Sequence, residues 1–336
     1  MKSSKRKCIL ILGPHRSGTS AISGCLQKCG LSFGGNLLSP SFDNPKGFFE
    51  NPDIIAINDA LLESEGFNWH SVAPLRDEWW KDNKVKKWKK KAIVIIDSHY
   101  SDLKKFAIKD PRFSLTLPFW NDLLQNKFDL ELLVILIIRN PMEASASLQK
   151  RNLFCINKAD KLTVHYILNA ERLSRNINRR IISFNDVIDD PNRHLIPIIQ
   201  DFLNVAKLKI RLDFIDNQLL NSTIEKDNLQ GKYQLIATDI YNVLTSDDEK
   251  KQKELLLDQI FEDIKNDTSF YKSTKIYLPK NYPYFFLTKK LFLAFANRPL
   301  KFIQNFNMTN FRTLFRAIKE EKPSTIINNL KKLLNQ

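Results

Sequence analysis

The chain has 336 residues, 43% of them hydrophobic, with only 9 Gly and 14 Pro, a composition that excludes a disordered or fibrous protein. Its 52 Lys+Arg against 37 Asp+Glu give a formal net charge of +15, which favours polyanionic partners such as nucleotides, nucleic acid or an anionic membrane. Four scattered cysteines, Cys8, Cys25, Cys29 and Cys155, are too few for a disulfide framework and point to a reducing compartment.

In chain order, a basic start leads into the apolar run Cys8 to Leu12. That run is shorter than the ~7–15 residues of a secretion signal, so it reads as a first strand of a cytoplasmic protein. Gly13-Pro14 stops it, and Thr19 to Gly30 follows with helical spacing of Ile22, Cys25, Leu26 and Cys29. Lys81 to Lys91 is a lysine run around Trp88 and predicts one solvated helix face. Phe106 to Ile108 is a short strand. Leu132 to Ile138 (LLVILII) is the strongest strand of the chain, an unbroken aliphatic run of the kind covered on both faces. Helices are predicted near 141–151, 162–177 and 194–202, and a strand at RIISF, Arg180 to Phe184. No apolar run reaches the roughly 18 residues that span a bilayer. The alternation predicts an α/β, P-loop-like three-layer fold, with a mostly parallel central sheet flanked by helices. From Lys272 the composition changes: 13 Lys+Arg stand against Glu320 and Glu321, a surplus of eleven, interleaved with phenylalanines. The division is therefore 1–271 as the main domain and 272–336 as a basic, Phe-rich helical extension. That extension either packs on the core or docks peripherally on an anionic membrane.

Chemistry concentrates in Gly13-Pro14-His15-Arg16-Ser17-Gly18-Thr19-Ser20, between a strand and a helix. A glycine loop at a helix start offers unpaired N–H groups and a positive dipole end to an anion. The spacing is that of a Walker A loop, but Thr19 stands where the lysine belongs and the cation comes earlier, as Arg16. Ordinary nucleoside triphosphate hydrolysis is thereby disfavoured. Arg139 ends the strongest strand, in Arg139-Asn140-Pro141, with Ser147 on the helix that follows. In a parallel sheet both segments face the crevice beyond the strand ends, so they suit two separate phosphates of one nucleotide.

With these residues the sequence resembles the sulfotransferase family that uses 3′-phosphoadenosine 5′-phosphosulfate (PAPS), in its bacterial, carbohydrate-type branch. Asp43-Asn44-Pro45-Lys46-Gly47-Phe48-Phe49-Glu50-Asn51 and Ile108-Lys109-Asp110-Pro111-Arg112 resemble the same branch, and the likeness covers about residues 7–205. The resemblance implies that Arg16, Ser17, Gly18, Thr19 and Ser20, with His15 beside them, hold the 5′-phosphosulfate. It implies that Arg139 and Ser147 hold the 3′-phosphate, and that Phe184 lies near the adenine, with a core phenylalanine as the alternative there.

For sulfuryl transfer, Arg16 fits the cation role by position. Lys109 resembles a lysine aimed at the bridging oxygen, with a structural ion pair to Asp110 as its other reading. Glu50 is the first choice of base, with His15, Asp43 and His70 as rivals and a helix cap near Pro52 as its bland role. No metal is implied. Three function classes remain: PAPS-dependent sulfation of a hydroxyl, most plausibly on a glycan; an atypical P-loop small-molecule or nucleotide kinase; and a non-catalytic polyanion-binding protein. No nucleic-acid motif supports the last.

Overall fold

Period-2 alternation of fully buried aliphatic residues explains the centre of the molecule. In β1 (Lys7–Leu12), Cys8, Leu10 and Leu12 join one core cluster while Ile9 and Ile11 join another, so the strand is covered on both faces. In β3 (Glu131–Ile138) the even-numbered residues join the first cluster and Leu133, Ile135 and Ile137 the second. With β2 (Lys105–Lys109) and β4 (Arg179–Ser183) they form a four-stranded parallel sheet in the order β2-β1-β3-β4. The computed structural model describes residues 5–41, 44–152, 154–206 and 231–271, which all belong to one compact unit.

The helices fall on the two faces. α1 (Thr19–Lys28) covers one face. On the other lie α2 (Pro52–Ser64), α3 (Lys86–Tyr100), α4 (Phe113–Asp122) and, beyond α5 (Pro141–Asn152), α6 (Ile156–Ser174). After β4, short α7 (Phe184–Asp189), α8 (Pro191–His194) and α9 (Ile196–Leu203) return to the α1 face. α10 (Lys232–Thr245), α11 (Lys250–Asn266) and α12 (Thr268–Tyr271) join the larger cluster. This is the predicted α/β class, three layers deep.

The register places Leu12 against Leu136, Ile11 against Lys109 and Ile138 against Ser183. The carboxyl ends of all four strands therefore share one edge. β1 lies between its sequence successor β2 and the later β3, so the chain order reverses across the β1/β3 pair. That is where parallel sheets bind ligands.

Several expectations are corrected. The strand expected to run to Phe184 ends at Ser183, because Phe184 begins α7. The helix expected at 194–202 is broken at Leu195 into α8 and α9, where Pro197 needs a fresh first turn. The helix expected at 162–177 starts earlier, at Ile156, and stops at Ser174. The lysine run is not one helix: 3-10 turns at Trp79–Lys81 and Asn83–Val85 precede α3. Within α3, the Lys87 and Lys91 ammonium groups sit over the Trp88 ring at 4.7 and 4.9 Å, so two cations of the run are set against an aromatic face. Of the two cysteines that helical spacing assigns to the core, Cys25 is buried and Cys29 is half-buried. The extension 272–336 lies outside the described residues, as does Asp43.

Candidate active site

The loop after β1 has a shape that only its own residues permit. Gly13 adopts φ +148°, and a Cβ there would stand 2.2 Å from the carbonyl oxygen of Ile137 on β3. Gly18, at φ +93°, caps α1 and, as glycine, offers no side chain to that helix's first turn. Arg16 holds a left-handed φ of 71°, an uncommon choice outside glycine that turns its side chain to Ser147, whose Oγ accepts from Arg16 Nε at 2.9 Å. Ser17 is fully buried, and its Oγ makes no hydrogen bond. A buried hydroxyl left unsatisfied inside a positively polarised loop fits an anion as its missing partner.

Lys109 closes β2 beside this loop. It is 2% exposed, and its ammonium bonds the carboxylate of Glu50, itself 8% exposed, and Ser20 Oγ at 3.1 Å. Asn44 Nδ2 donates to the same Ser20 Oγ at 3.2 Å. The ion pair considered between Lys109 and Asp110 is thus not formed. Asp110 accepts instead from Asn58 Nδ2 at 2.9 Å and Arg112 Nη1 at 3.1 Å, while Arg112 Nε reaches Asp59 at 2.6 Å. Nor does Glu50 cap α2. Asn51 does, accepting from Asp53 N at 2.8 Å and Ile54 N at 3.2 Å, with Pro52 in the first turn. The cap anchors the chain one residue on and leaves Glu50 turned to Lys109.

Arg139, 9% exposed, follows β3. Its Nε and Nη2 both meet Glu143 Oε2, at 2.8 and 2.7 Å, and its guanidinium carbon lies 5.3 Å from the centroid of the Phe184 ring. Phe184 also abuts the first loop, since a Cβ on Gly18 would come within 2.1 Å of that ring. Phe184 therefore lies against both the loop after β1 and Arg139 after β3. Ser147 is brought to Arg16, while Arg139 is met by Glu143.

His15 packs against Trp69 at 4.6 Å and Tyr166 at 5.2 Å between ring centroids. Burial, then the charges of Arg151, Arg112, Lys109 and Arg16, hold its pKa well below the usual histidine value, so the ring is neutral. Its Nε2 is buried without a hydrogen bond. His70 stands with Trp69 and Phe154. Among the described residues no group of three or more His, Cys, Asp or Glu could hold a metal ion. No helix there is long and apolar enough to cross a membrane. A cavity of about 400 Å³ beside α6 and α11, lined in part by Trp79, His165, Arg172 and Phe261, contains none of the predicted site residues.

Burial also lowers His165 on α6 to about 4 and raises Asp160 to about 6. The unfolded chain binds protons at His15 and His165 below about pH 6.5, while the fold does not, so stability falls as the pH drops from 6.5 toward 4. Asp160 opposes this, since its buried charge is relieved as the pH falls through about 6. His165→Gln should flatten the acid slope of the unfolding free energy, read from urea titrations, by up to about 1.4 kcal/mol per pH unit. An unchanged slope would rule out a neutral His165 as a source of the acid sensitivity.

Glu143, Asn51, Trp69, Tyr166 and Arg151 were not singled out from sequence. Glu143 had a signal, four residues beyond Arg139 on a helix, and so did Asn51 before Pro52. Trp69 had none, because only the fold carries it to His15.

No family model matches this chain, and no curated protein does. Among solved structures, it is similar to the sulfotransferase domain from the Synechococcus PCC 7002 olefin synthase. The identity is 17% and the TM-score 0.41, covering 78% of this chain and 98% of that one. It is also similar to the sulfotransferase domain from the curacin biosynthetic pathway, at 14% identity and a TM-score of 0.36, covering 78% and 99%.

Proposed function

We propose that this chain is a sulfotransferase that moves a sulfuryl group from PAPS to a hydroxyl of a carbohydrate acceptor. The observation that carries the reading is the placement of three cations at the carboxyl ends of three adjacent strands. Arg16 follows β1, Lys109 closes β2 and Arg139 follows β3, around a glycine loop that lacks the lysine of a triphosphate hydrolase. The donor set fits a nucleotide phosphorylated at both ends. The α1 start and the orphaned Ser17 Oγ suit the 5′ group, and the separate Arg139, with Phe184 between the two, suits a 3′-phosphate.

PAPS, when bound, supplies the sulfuryl group and an adenosine bisphosphate leaving group. With that donor bound, Arg16 and Lys109 would be the residues placed to balance the negative charge of the leaving phosphate. In the resting site Lys109 holds the Glu50 carboxylate. Lys109, on turning to the phosphate oxygens, leaves Glu50 to take the proton of the acceptor hydroxyl while that oxygen bonds to sulfur. His15, neutral among cations, adds no charge to the loop, and the buried Tyr166 and half-buried Trp69 rings beside it limit the access of water. The acceptor as a glycan, and membrane contact through 272–336, belong to this proposal.

Glu50→Gln tests the assignment. It keeps a hydrogen-bond acceptor for Lys109 but cannot take up a proton. Affinity for adenosine 3′,5′-bisphosphate should stay within about threefold while turnover falls at least ~100-fold, the range of general-base losses. Retained turnover removes Glu50 from the base role.

A further inference from the structure

One cluster beside the phosphate loop is not used by the donor. The segment 68–71 is a built turn: Asn68 Oδ1 accepts from His70 N at 3.1 Å and Ser71 Oγ at 2.9 Å, and Ser71 Oγ accepts from Asn68 N at 3.1 Å. Tyr166 donates to the carbonyl of Trp69 at 2.6 Å and pins the turn to α6. The turn presents Trp69 and His70 edge to face, 5.2 Å apart, with Phe154 6.1 Å from Trp69 and 5.8 Å from His70. His15 joins this wall to Arg16 of the phosphate loop.

Cations stand on these rings. The Arg151 guanidinium carbon lies 5.7 Å from the Trp69 centroid, and Lys158 Nζ lies 4.3 Å from that of Phe154 and 3.3 Å from His70 Nδ1. Lys109, Arg112 and Arg139 each meet a carboxylate. Among the described residues no carboxylate meets Lys158, and burial lowers its pKa. A half-buried ammonium set against aromatic rings is electrostatically unbalanced, and an incoming anion restores the balance. A plug whose sole task was to cover Leu62, Leu115 and Leu148 beneath it would need rings but not cations.

We infer that the Trp69–His70–Phe154 wall, with Arg151 and Lys158, is an acceptor subsite for a sugar ring that carries an anionic group. The inference rests on the sulfotransferase reading. Rings take the apolar face of a sugar, and the two cations take its carboxylate or phosphate. The subsite thus selects acidic over neutral acceptors, with Arg16 beside His15 marking the direction of the donor.

The full chain, saturated with adenosine 3′,5′-bisphosphate to fill the donor site, would be titrated with glucose, glucuronate and glucose 6-phosphate. Binding would be read from the fluorescence change that Trp69→Phe removes. At least one acidic sugar should bind about tenfold or more tighter than glucose, and comparison of the two separates carboxylate from phosphate recognition. Lys158→Ala and Arg151→Ala should each cut that affinity about fivefold or more with bisphosphate affinity unchanged. Equal binding of glucose and the acids, binding of none of them, or an unchanged acid affinity in Lys158→Ala would overturn the subsite. Failure of the bisphosphate itself to bind would instead overturn the donor reading.

Discussion

Lys109→Met should lower the stability of the fold by about 3–5 kcal/mol and abolish turnover, because it leaves the Glu50 carboxylate buried without its cation. The pair is nearly sealed, with side chains 2% and 11% exposed, so water cannot replace the lost partner. The single substitution also removes the donor to Ser20 Oγ and with it one tie between β2 and α1. The double variant Lys109→Met/Glu50→Leu separates stability from chemistry. Replacing a buried ion pair by apolar residues of similar size is often neutral or stabilising, so most of the lost stability should return. Turnover should not return, since both the cation and the base are gone. Urea unfolding midpoints and product release would be measured on all three proteins. A single variant as stable as the parent would show that Glu50 finds another partner.

Arg139→Ala should weaken binding of adenosine 3′,5′-bisphosphate by about tenfold to a hundredfold, the range of a lost charge-assisted hydrogen bond of roughly 1.5–3 kcal/mol. Two effects act in the same direction. The guanidinium that meets the 3′-phosphate is removed, and Glu143 loses the cation that both its short contacts engage, leaving a carboxylate to repel the phosphate. The loss should be selective. Adenosine 5′-phosphate, which has nothing for Arg139 to hold, should bind the variant within about twofold of the parent. Calorimetry with both ligands checks this. A similar loss for both would place Arg139 in maintaining the site rather than in recognising the 3′ group.

Much of the fold was legible because local signals and burial agree. LLVILII is apolar at every position, and β3, like β1, has a neighbour on each side and is covered on both faces. Gly13 and Gly18 were readable as a loop before a helix, and both turn out to be places where a side chain would collide with a specific neighbour. Long-range pairing was not legible. Glu50 and Lys109 were each named for a separate role, yet nothing local shows that a carboxylate from the loop before α2 meets the last residue of β2. For the same reason Asp110 was a plausible partner of Lys109. Lys109 is the last residue of β2, and Asp110, just beyond it, is held by Asn58 and Arg112. The hydrophobicity of RIISF runs on through Phe184 and so extends the strand in sequence, whereas Phe184 opens α7 and packs against Gly18, 166 residues away in sequence. Trp69 lies in a polar, turn-rich stretch and gains its place through Tyr166 and His15.

The central claim is that the loop and Arg139 together form one site for a nucleotide phosphorylated at its 5′ and 3′ ends. Isothermal calorimetry of the full chain against adenosine 3′,5′-bisphosphate and, separately, ATP with magnesium tests it most directly. The account predicts one bisphosphate per chain, bound at least ~100-fold more tightly than ATP–magnesium, because Thr19 stands in the lysine position of a triphosphate loop. No binding of the bisphosphate alongside tight binding of ATP–magnesium would contradict it.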